Sequence, residues 1–307
     1  MSPKRPKVVP IINPTLFEMG KVEEARKLMA NIVLPRPYDI PHVYLGTSAF
    51  QAKGWERMFY PKGMKPAEYL TYYSQTFRTV EVDSTFYATP SVETVNRWYL
   101  KTPADFIISA KVPQVITHKK VLLDCDAEFD EFIGRMDILD DKLGPMLLQF
   151  PYFNKYEFKT GADFLARLRF FLKKLSEMFT YRFVVEIRNK SWLDHNFLQA
   201  LREHNVALAL TDTSFMPRPW ELKTPLDLIT SDFAYVRWLG NRKEIEKTTT
   251  TWDHTIVDRT EDVKHWASLI SSLVHDKRIR KVLAYANNHY GGYAPDTAKL
   301  FFEMWNR

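Results

Sequence analysis

The run Phe183-Val184-Val185-Glu186-Ile187-Arg188 sets a carboxylate and a guanidinium two residues apart at the end of an otherwise apolar stretch. Side chains alternate along a strand, so Glu186 and Arg188 share one face. Such charges are costly to bury unless they bind each other or a ligand. The bland alternative is an ion pair that only braces the structure. Ser109-Ala110-Lys111-Val112-Pro113 ends a second run in a lysine. A lysine so placed can hold an anion, attack a carbonyl as a Schiff-base nucleophile, or carry a proton once burial has tuned it. Its structural alternative is to partner Asp83 or Glu186. Val80-Glu81-Val82-Asp83-Ser84-Thr85-Phe86-Tyr87 puts Glu81, Asp83 and Thr85 on one strand face, as a buried polar network, and Thr211-Asp212 adds a further carboxylate. The expected catalytic centre is Lys111, Glu186 and Asp212. Glu186 or Asp212 would be the base, with Lys111 and Arg188 as anion or oxyanion contacts. The expected ligand-binding set adds Asp83, Thr85, Tyr87, His118, Gln149, Trp192, Arg237, Asn287 and Asn288. Within it, His118 reads equally as an acid/base group or a surface histidine, and Trp192 as an aromatic wall or as packing under a loop.

Eight short runs must position these residues: Val43–Ser48, Thr79–Thr85, Phe106–Lys111, Met146–Gln149, Phe183–Arg188, Ala207–Asp212, Phe233–Arg237 and Lys281–Asn288. Helical stretches separate them, which reads as βαβ units and parallel strands. Eight units predict a TIM-type (β/α)8 barrel of the α/β class, with its ligand site at the C-terminal strand ends. There the chain carries Ser48, Asp83, Lys111, Gln149, Glu186, Asp212, Arg237 and Asn287. An open doubly wound sheet also alternates strand and helix. Against it, Thr47-Ser48-Ala49-Phe50 is no glycine-rich turn, and polar strand ends occur in every unit. Phe129, Phe132, Ile133, Met136 and Leu139 form one apolar helical stripe, Phe164, Leu168, Phe171, Leu172 and Leu175 another. Three prolines between Asp212 and Phe233 leave room for a short helix at best, and Asn241–Asp258 reads as a long loop over the mouth. Residues 1–41 form an N-terminal extension, helix-prone over Phe17–Met29, with Pro35, Pro37 and Pro41 as a stiff linker. The barrel domain takes 42–307.

A net charge of +6 and a pI near 9.1 invite a nucleic-acid reading. Residues 1–41 hold seven of the basic residues and four of the acidic ones, so half of the excess lies outside the barrel. No apolar run approaches the ~20 residues of a membrane span. The start lacks a signal peptide's apolar core, so cytoplasmic residence is expected. Cys125, between acids in Asp124-Cys125-Asp126, reads as a bystander thiol. No histidine ends a run, and neither His-x-His nor His-Glu-x-x-His occurs, so neither a metal nor another cofactor is expected. The carboxylates do not fall on the fourth and seventh strands that carry acid and nucleophile in the large barrel glycosidase group. Gly240-Asn241-Arg242-Lys243 and His289–Gly292 follow the last two strands, where many barrels cradle phosphate. The favoured function is a metal-independent enzyme acting on a small anionic or sugar-like ligand. The alternative is a nucleic-acid-binding protein or nuclease that uses basic loops and mouth aromatics. Oligomeric state is not legible.

Taken together the motifs resemble the DUF72 family, also called YecE-like proteins, over about residues 43–305. The resemblance rests on Leu45-Gly46-Thr47-Ser48, on Val80–Tyr87 with Pro90, and on Trp98 before Thr102-Pro103. It continues through Lys111-Val112-Pro113 with Ile116-Thr117-His118, Leu143-Gly144-Pro145 with Gln149-Phe150-Pro151, and Val185–Arg188 with Ser191-Trp192. It ends with Tyr235-Val236-Arg237 and Asn287–Ala294. It implies a TIM-type barrel and no settled activity. Two positions depart from the family's usual pattern. Ala49-Phe50 stand where Gly-Trp follows Gly-Thr-Ser, and Leu239 replaces the histidine of Arg-x-His-Gly.

Overall fold

Every one of the eight runs is a strand in the computed structural model, which describes residues 35–222 and 225–306. The order is β1 (Val43–Thr47), α1 (Tyr69–Ser74), β2 (Thr79–Val82), α2 (Val92–Leu100), β3 (Ile107–Lys111), α3 (Asp126–Met136), β4 (Leu143–Gln149) and α4 (Gly161–Met178). There follow β5 (Phe183–Glu186), α5 (His195–Glu203), β6 (Ala207–Thr213), β7 (Phe233–Gly240), α6 (Arg242–Thr248), α7 (Thr260–His275), β8 (Lys281–Ala286), α8 (Asn288–Gly291) and α9 (Ala294–Trp305). All neighbours pair in parallel and β1 closes on β8, giving a (β/α)8 barrel. The apolar stripes of α3 and α4 are buried against it, each large side chain contributing about 2 kcal/mol of burial. Helix starts follow their side chains: Ser91 caps α2, and Thr160 with Asp163 makes a reciprocal box before α4.

Two expectations need correction, at β2 and at Asn241–Asp258, while the short helix at best between β6 and β7 is what the structure shows. β2 stops at Val82, because Asp83–Phe86 coils into a tight helical turn, so Asp83 and Thr85 do not continue the strand. Between β6 and β7 the described residues form no α-helix, only the short turn Pro219–Glu221, since the prolines remove the donors a helix needs. The segment Asn241–Asp258 is not all loop: Asn241 caps the two-turn α6 by accepting the Glu244 amide. The helix expected at Phe17–Met29 lies outside the described residues. The described end of the linker is tied to the barrel's N-terminal face, where Arg36 is buried and donates to Asp105 and to the Ser74 carbonyl. Among the described residues no helix is long and apolar enough to cross a membrane.

Alternation along the strands grades the barrel interior from apolar to charged. Leu147, Val184, Ala207, Phe233 and Leu283 pack the lower part. Above them the Tyr285 hydroxyl stands 2.8 Å from both Thr79 Oγ1 and Ser109 Oγ. The ionic layers come next, toward the C-terminal strand ends. Over one side of the mouth, the loops after β1, β7 and β8 are laced together. The Trp252 amide donates to the Lys53 carbonyl at 2.8 Å, and Ile256 and Val257 donate to the Gly291 carbonyl. Gly240 has φ +67, and a Cβ there would stand 2.4 Å from the His289 carbonyl oxygen, so only glycine lets these loops meet.

Candidate functional site

The floor of the mouth is a closed ionic cluster. Arg237, inward on β7, donates through Nε to Glu81 Oε2 at 2.9 Å and through Nη2 to Glu81 Oε1 at 2.6 Å. Its Nη1 donates to Glu186 Oε2, and the Tyr235 hydroxyl gives Glu81 Oε2 a further bond at 2.6 Å. All four side chains are buried. A planar guanidinium that bridges two carboxylates is the geometry in which buried charge is best compensated. Burial would push the Glu186 carboxyl up, but Arg237, Arg188 and Lys111 outweigh it and hold it below the usual range.

Above this floor lies a looser layer. Arg188, just past the end of β5, donates through Nε to Glu186 Oε1 at 3.4 Å, and its guanidinium covers the exposed Phe215 ring at 5.1 Å. Its Nη groups make no hydrogen bond among the described residues. Lys111 ends β3 with Nζ 4.2 Å above the Phe86 ring and 4.0 Å from Asp83 Oδ1, too far for a hydrogen bond. Asp83 Oδ1 is 3.7 Å from Arg237 Nη2 and has no hydrogen-bond partner either. Burial raises the Asp83 carboxyl to about 6, with Lys111 opposing and Glu81 reinforcing the rise. Burial lowers the Lys111 ammonium, Arg237 adds to this, and Asp83 opposes it. His118 packs edge-on against Phe86 at 4.9 Å, and burial together with Lys111 and Arg188 depresses it to about 4, so it is neutral at pH 7. Ser48, inward at the end of β1, has a buried Oγ with no partner. Three carboxylates (Glu81, Asp83, Glu186) thus face three cations (Lys111, Arg188, Arg237).

The structure gathers Asp83, Lys111, His118, Glu186, Arg188 and Arg237 from the expected set and leaves others elsewhere. Asp212 requires a correction: it does not converge with Glu186, because Ala207 and Ala209 take the inward parity of β6 and Asp212 faces the helices. It accepts 2.9 Å bonds from Arg218 Nε, Trp266 Nε1 and the Tyr290 hydroxyl. Thr85 ties backbone together, bonding through Oγ1 with the Lys111 amide at 3.0 Å and the Lys111 carbonyl at 2.7 Å. Trp192 stacks on Phe164 and Phe153 in the outer layer. Asn287 caps α8, and Asn288 accepts from Trp55 Nε1 and the Ala294 amide. Gln149 is buried beside Glu186 and donates to the Phe150 carbonyl at 2.7 Å. Tyr87 stands on the rim, 70% exposed. Glu81, Tyr235 and Ser48 belong to the site but not to the expected catalytic and ligand-binding sets. The signal for Tyr235 was its sharing a strand face with Arg237.

Among the described residues no group of three His, Cys, Asp or Glu side chains stands in a metal-binding arrangement. Leu239 keeps the parity of Arg237 near the end of β7 and puts an apolar side chain there. His289 instead lies on the laced side, its Nδ1 2.6 Å from Asn287 Oδ1 and its Nε2 3.1 Å from Glu246 Oε1.

Fold and site define a parallel eight-stranded barrel protein with an ionic floor and a partly open charged mouth. The sequence model of the family described as "Protein of unknown function DUF72" matches residues 44–307, and the chain belongs to that family. It is 33% identical over 147 residues to the UPF0759 protein YecE of Escherichia coli (strain K12), a match spanning 48% of each chain, so about half the length of that relative. It is 24% identical over 277 residues to the UPF0759 protein YunF of Bacillus subtilis (strain 168), covering 85% of this chain and 94% of YunF. Among solved structures, a DUF72 family protein from Thermotoga maritima MSB8 superposes with a TM-score of 0.67 at 27% identity, over 86% of this chain and 99% of that one. A second, from Enterococcus faecalis V583, gives 0.61 at 20% identity over 86% and 96% and shares the fold.

Proposed function

We propose that the mouth binds a small hydroxylated anion and that the protein is an enzyme that moves a proton on it. One observation carries this reading: hydrogen-bonding capacity at the mouth is unmet. Lys111 Nζ, the Arg188 Nη groups, Asp83 Oδ1 and Ser48 Oγ all lack hydrogen-bond partners among the described residues. Polar groups left so at a barrel's C-terminal face are ordinarily completed by ligand or water. The cations suit a carboxylate or phosphate, with the Arg188 fork offering bidentate geometry. Asp83 and Ser48 suit ligand hydroxyls. A carboxyl near 6 beside a lysine held low forms an acid/base pair close to neutrality. The base is then Asp83 in place of Glu186, which Arg237 occupies. Inorganic phosphate and glycerol 3-phosphate, titrated at constant ionic strength, should raise the melting temperature of the wild type and not of Arg188→Met. An unchanged wild-type melting temperature with both would remove the reading.

A second reading, single-stranded nucleic acid laid across the rim, is favoured by a different observation. Tyr87, Tyr152, Tyr156, Phe215 and Trp220 are exposed aromatics on segments that follow strands. Stacking platforms beside basic groups are the common means of holding unpaired bases. That reading requires oligonucleotide affinity that falls steeply with salt.

A further inference from the structure

We infer that Lys111 bonds covalently, as an imine, to a carbonyl-bearing anion bound in the mouth. The inference rests on the mouth being the ligand site, and deepens that reading by naming an oxo acid or oxo phosphate as the ligand class.

The first ground is the contest over Asp83. Arg237 takes both oxygens of Glu81 and one of Glu186, and Arg188 takes the other Glu186 oxygen. Asp83 is left facing two cations, Arg237 Nη2 at 3.7 Å and Lys111 Nζ at 4.0 Å, and hydrogen-bonds neither. A guanidinium in a protein does not lose its proton, whereas an ammonium does. The crowding of positive charge is therefore relieved at Lys111. A lysine desolvated beside another cation is a recognised way to hold an amine nucleophilic at neutral pH.

Position supplies the second ground. The Lys111 side chain is only 12% exposed, lies on the face of Phe86, and has no hydrogen bond that would occupy its lone pair once neutral. Thr85 fastens the lysine's own amide and carbonyl to the turn that begins with Asp83. Nucleophile and proton carrier are thus set relative to each other by backbone. Arg188, held to Glu186 through Nε with its Nη groups unbonded among the described residues, offers them to the ligand's anionic group.

The step balances without a co-reactant. The neutral Nζ lone pair forms an N–C bond while the carbonyl π pair moves to oxygen, which takes a proton from the Asp83 carboxyl. The nitrogen returns a proton to Asp83. The hydroxyl, protonated in turn, leaves as water as the nitrogen lone pair forms C=N. That water carries the carbonyl oxygen, one amine proton and the proton Asp83 held at the start, leaving a protonated imine beside the Asp83 carboxylate.

The test is reductive trapping on the intact wild-type protein. Glyoxylate, the smallest aldehyde that carries a carboxylate, is added with sodium cyanoborohydride, and modified lysines are mapped by peptide mass spectrometry. Lys111 should label about tenfold faster than exposed lysines such as Lys173 and Lys247. Inorganic phosphate should slow Lys111 alone, and Arg188→Met should erase most of its lead. Labelling of Lys111 at or below the surface rate overturns the inference. If phosphate still raises the melting temperature in that case, the ligand site stands and only the covalent step falls; if it does not, both fall.

Discussion

Glu186 and Asp83 are both carboxylates within ion-pair reach of Arg237, yet their protons are held in opposite ways. Glu186 accepts from Arg237 and Arg188 and is drawn below the usual carboxylate range. Asp83 sits 3.7 Å and 4.0 Å from its cations, accepts no hydrogen bond at Oδ1, and rises to about 6. What separates the two cases is whether Arg237 reaches the carboxylate with a hydrogen bond. Within hydrogen-bond distance a buried cation repays the desolvation of a carboxylate; slightly beyond it, desolvation and the like charges of neighbouring acids win. The same residue types therefore make a closed floor and, one layer higher, a rim whose hydrogen-bonding capacity is unmet.

The sharpest way to break this contrast is at the floor. Arg237→Met should leave Glu81 and Glu186 uncompensated and cost about 3–5 kcal/mol of stability by chemical denaturation. A variant as stable as wild type would mean the floor is not closed. Asp212→Asn should be milder, losing about 1–3 kcal/mol as good acceptors for Arg218, Trp266 and Tyr290 are replaced by one amide. Its response to phosphate should survive; loss of that response would return Asp212 to the site. Lys111→Met belongs to the rim, and should change ligand-free stability by less than about 1 kcal/mol while abolishing phosphate stabilisation. A large fall in melting temperature with phosphate binding intact would make Lys111 structural.

The smallest effect is a pH dependence. Asp83 titrates at about 6 in the folded protein against about 3.9 in the unfolded chain, so the folded state binds more protons between those values. Its stabilising contribution is full below the unfolded pKa and is lost as pH rises through about 6. The stability of wild type minus that of Asp83→Asn should therefore decline from pH 4 to about 6.5 and then level. A difference that instead grows with pH would mean a depressed carboxyl, closed on Lys111.

The eight strands were legible because parallel barrel strands, buried on both faces, are near-continuous apolar runs with polar ends. Which polar end faces inward was less so. Asp212 stands next to the end of β6 much as Glu186 ends β5, and its direction follows from the small Ala207 and Ala209, whose inward parity a pattern of types alone leaves ambiguous. Its partner Trp266 comes from a helix 54 residues later, which no local signal announces. Strand ends were harder still. Asp83 and Thr85 belong to a turn, and Thr85 was read as facing a ligand when its hydroxyl is committed to the Lys111 backbone. Trp192 was ambiguous because indoles fill outer-layer cores and line sites alike. Glu81 was visible as a polar residue on the right face, but its hold on Arg237 through both carboxylate oxygens is a long-range fact.

The laced loops after β1, β7 and β8 leave the mouth lopsided. The exposed Tyr87 and Phe215 and the part-buried Arg188 belong to the β2, β5 and β6 side. On the reading argued above, a molecule that reaches Lys111 crosses that side with its charge trailing toward Arg188, and turns the same side of its trigonal carbon to the amine each time. The handedness of whatever is made there would be settled by three loops that never touch it.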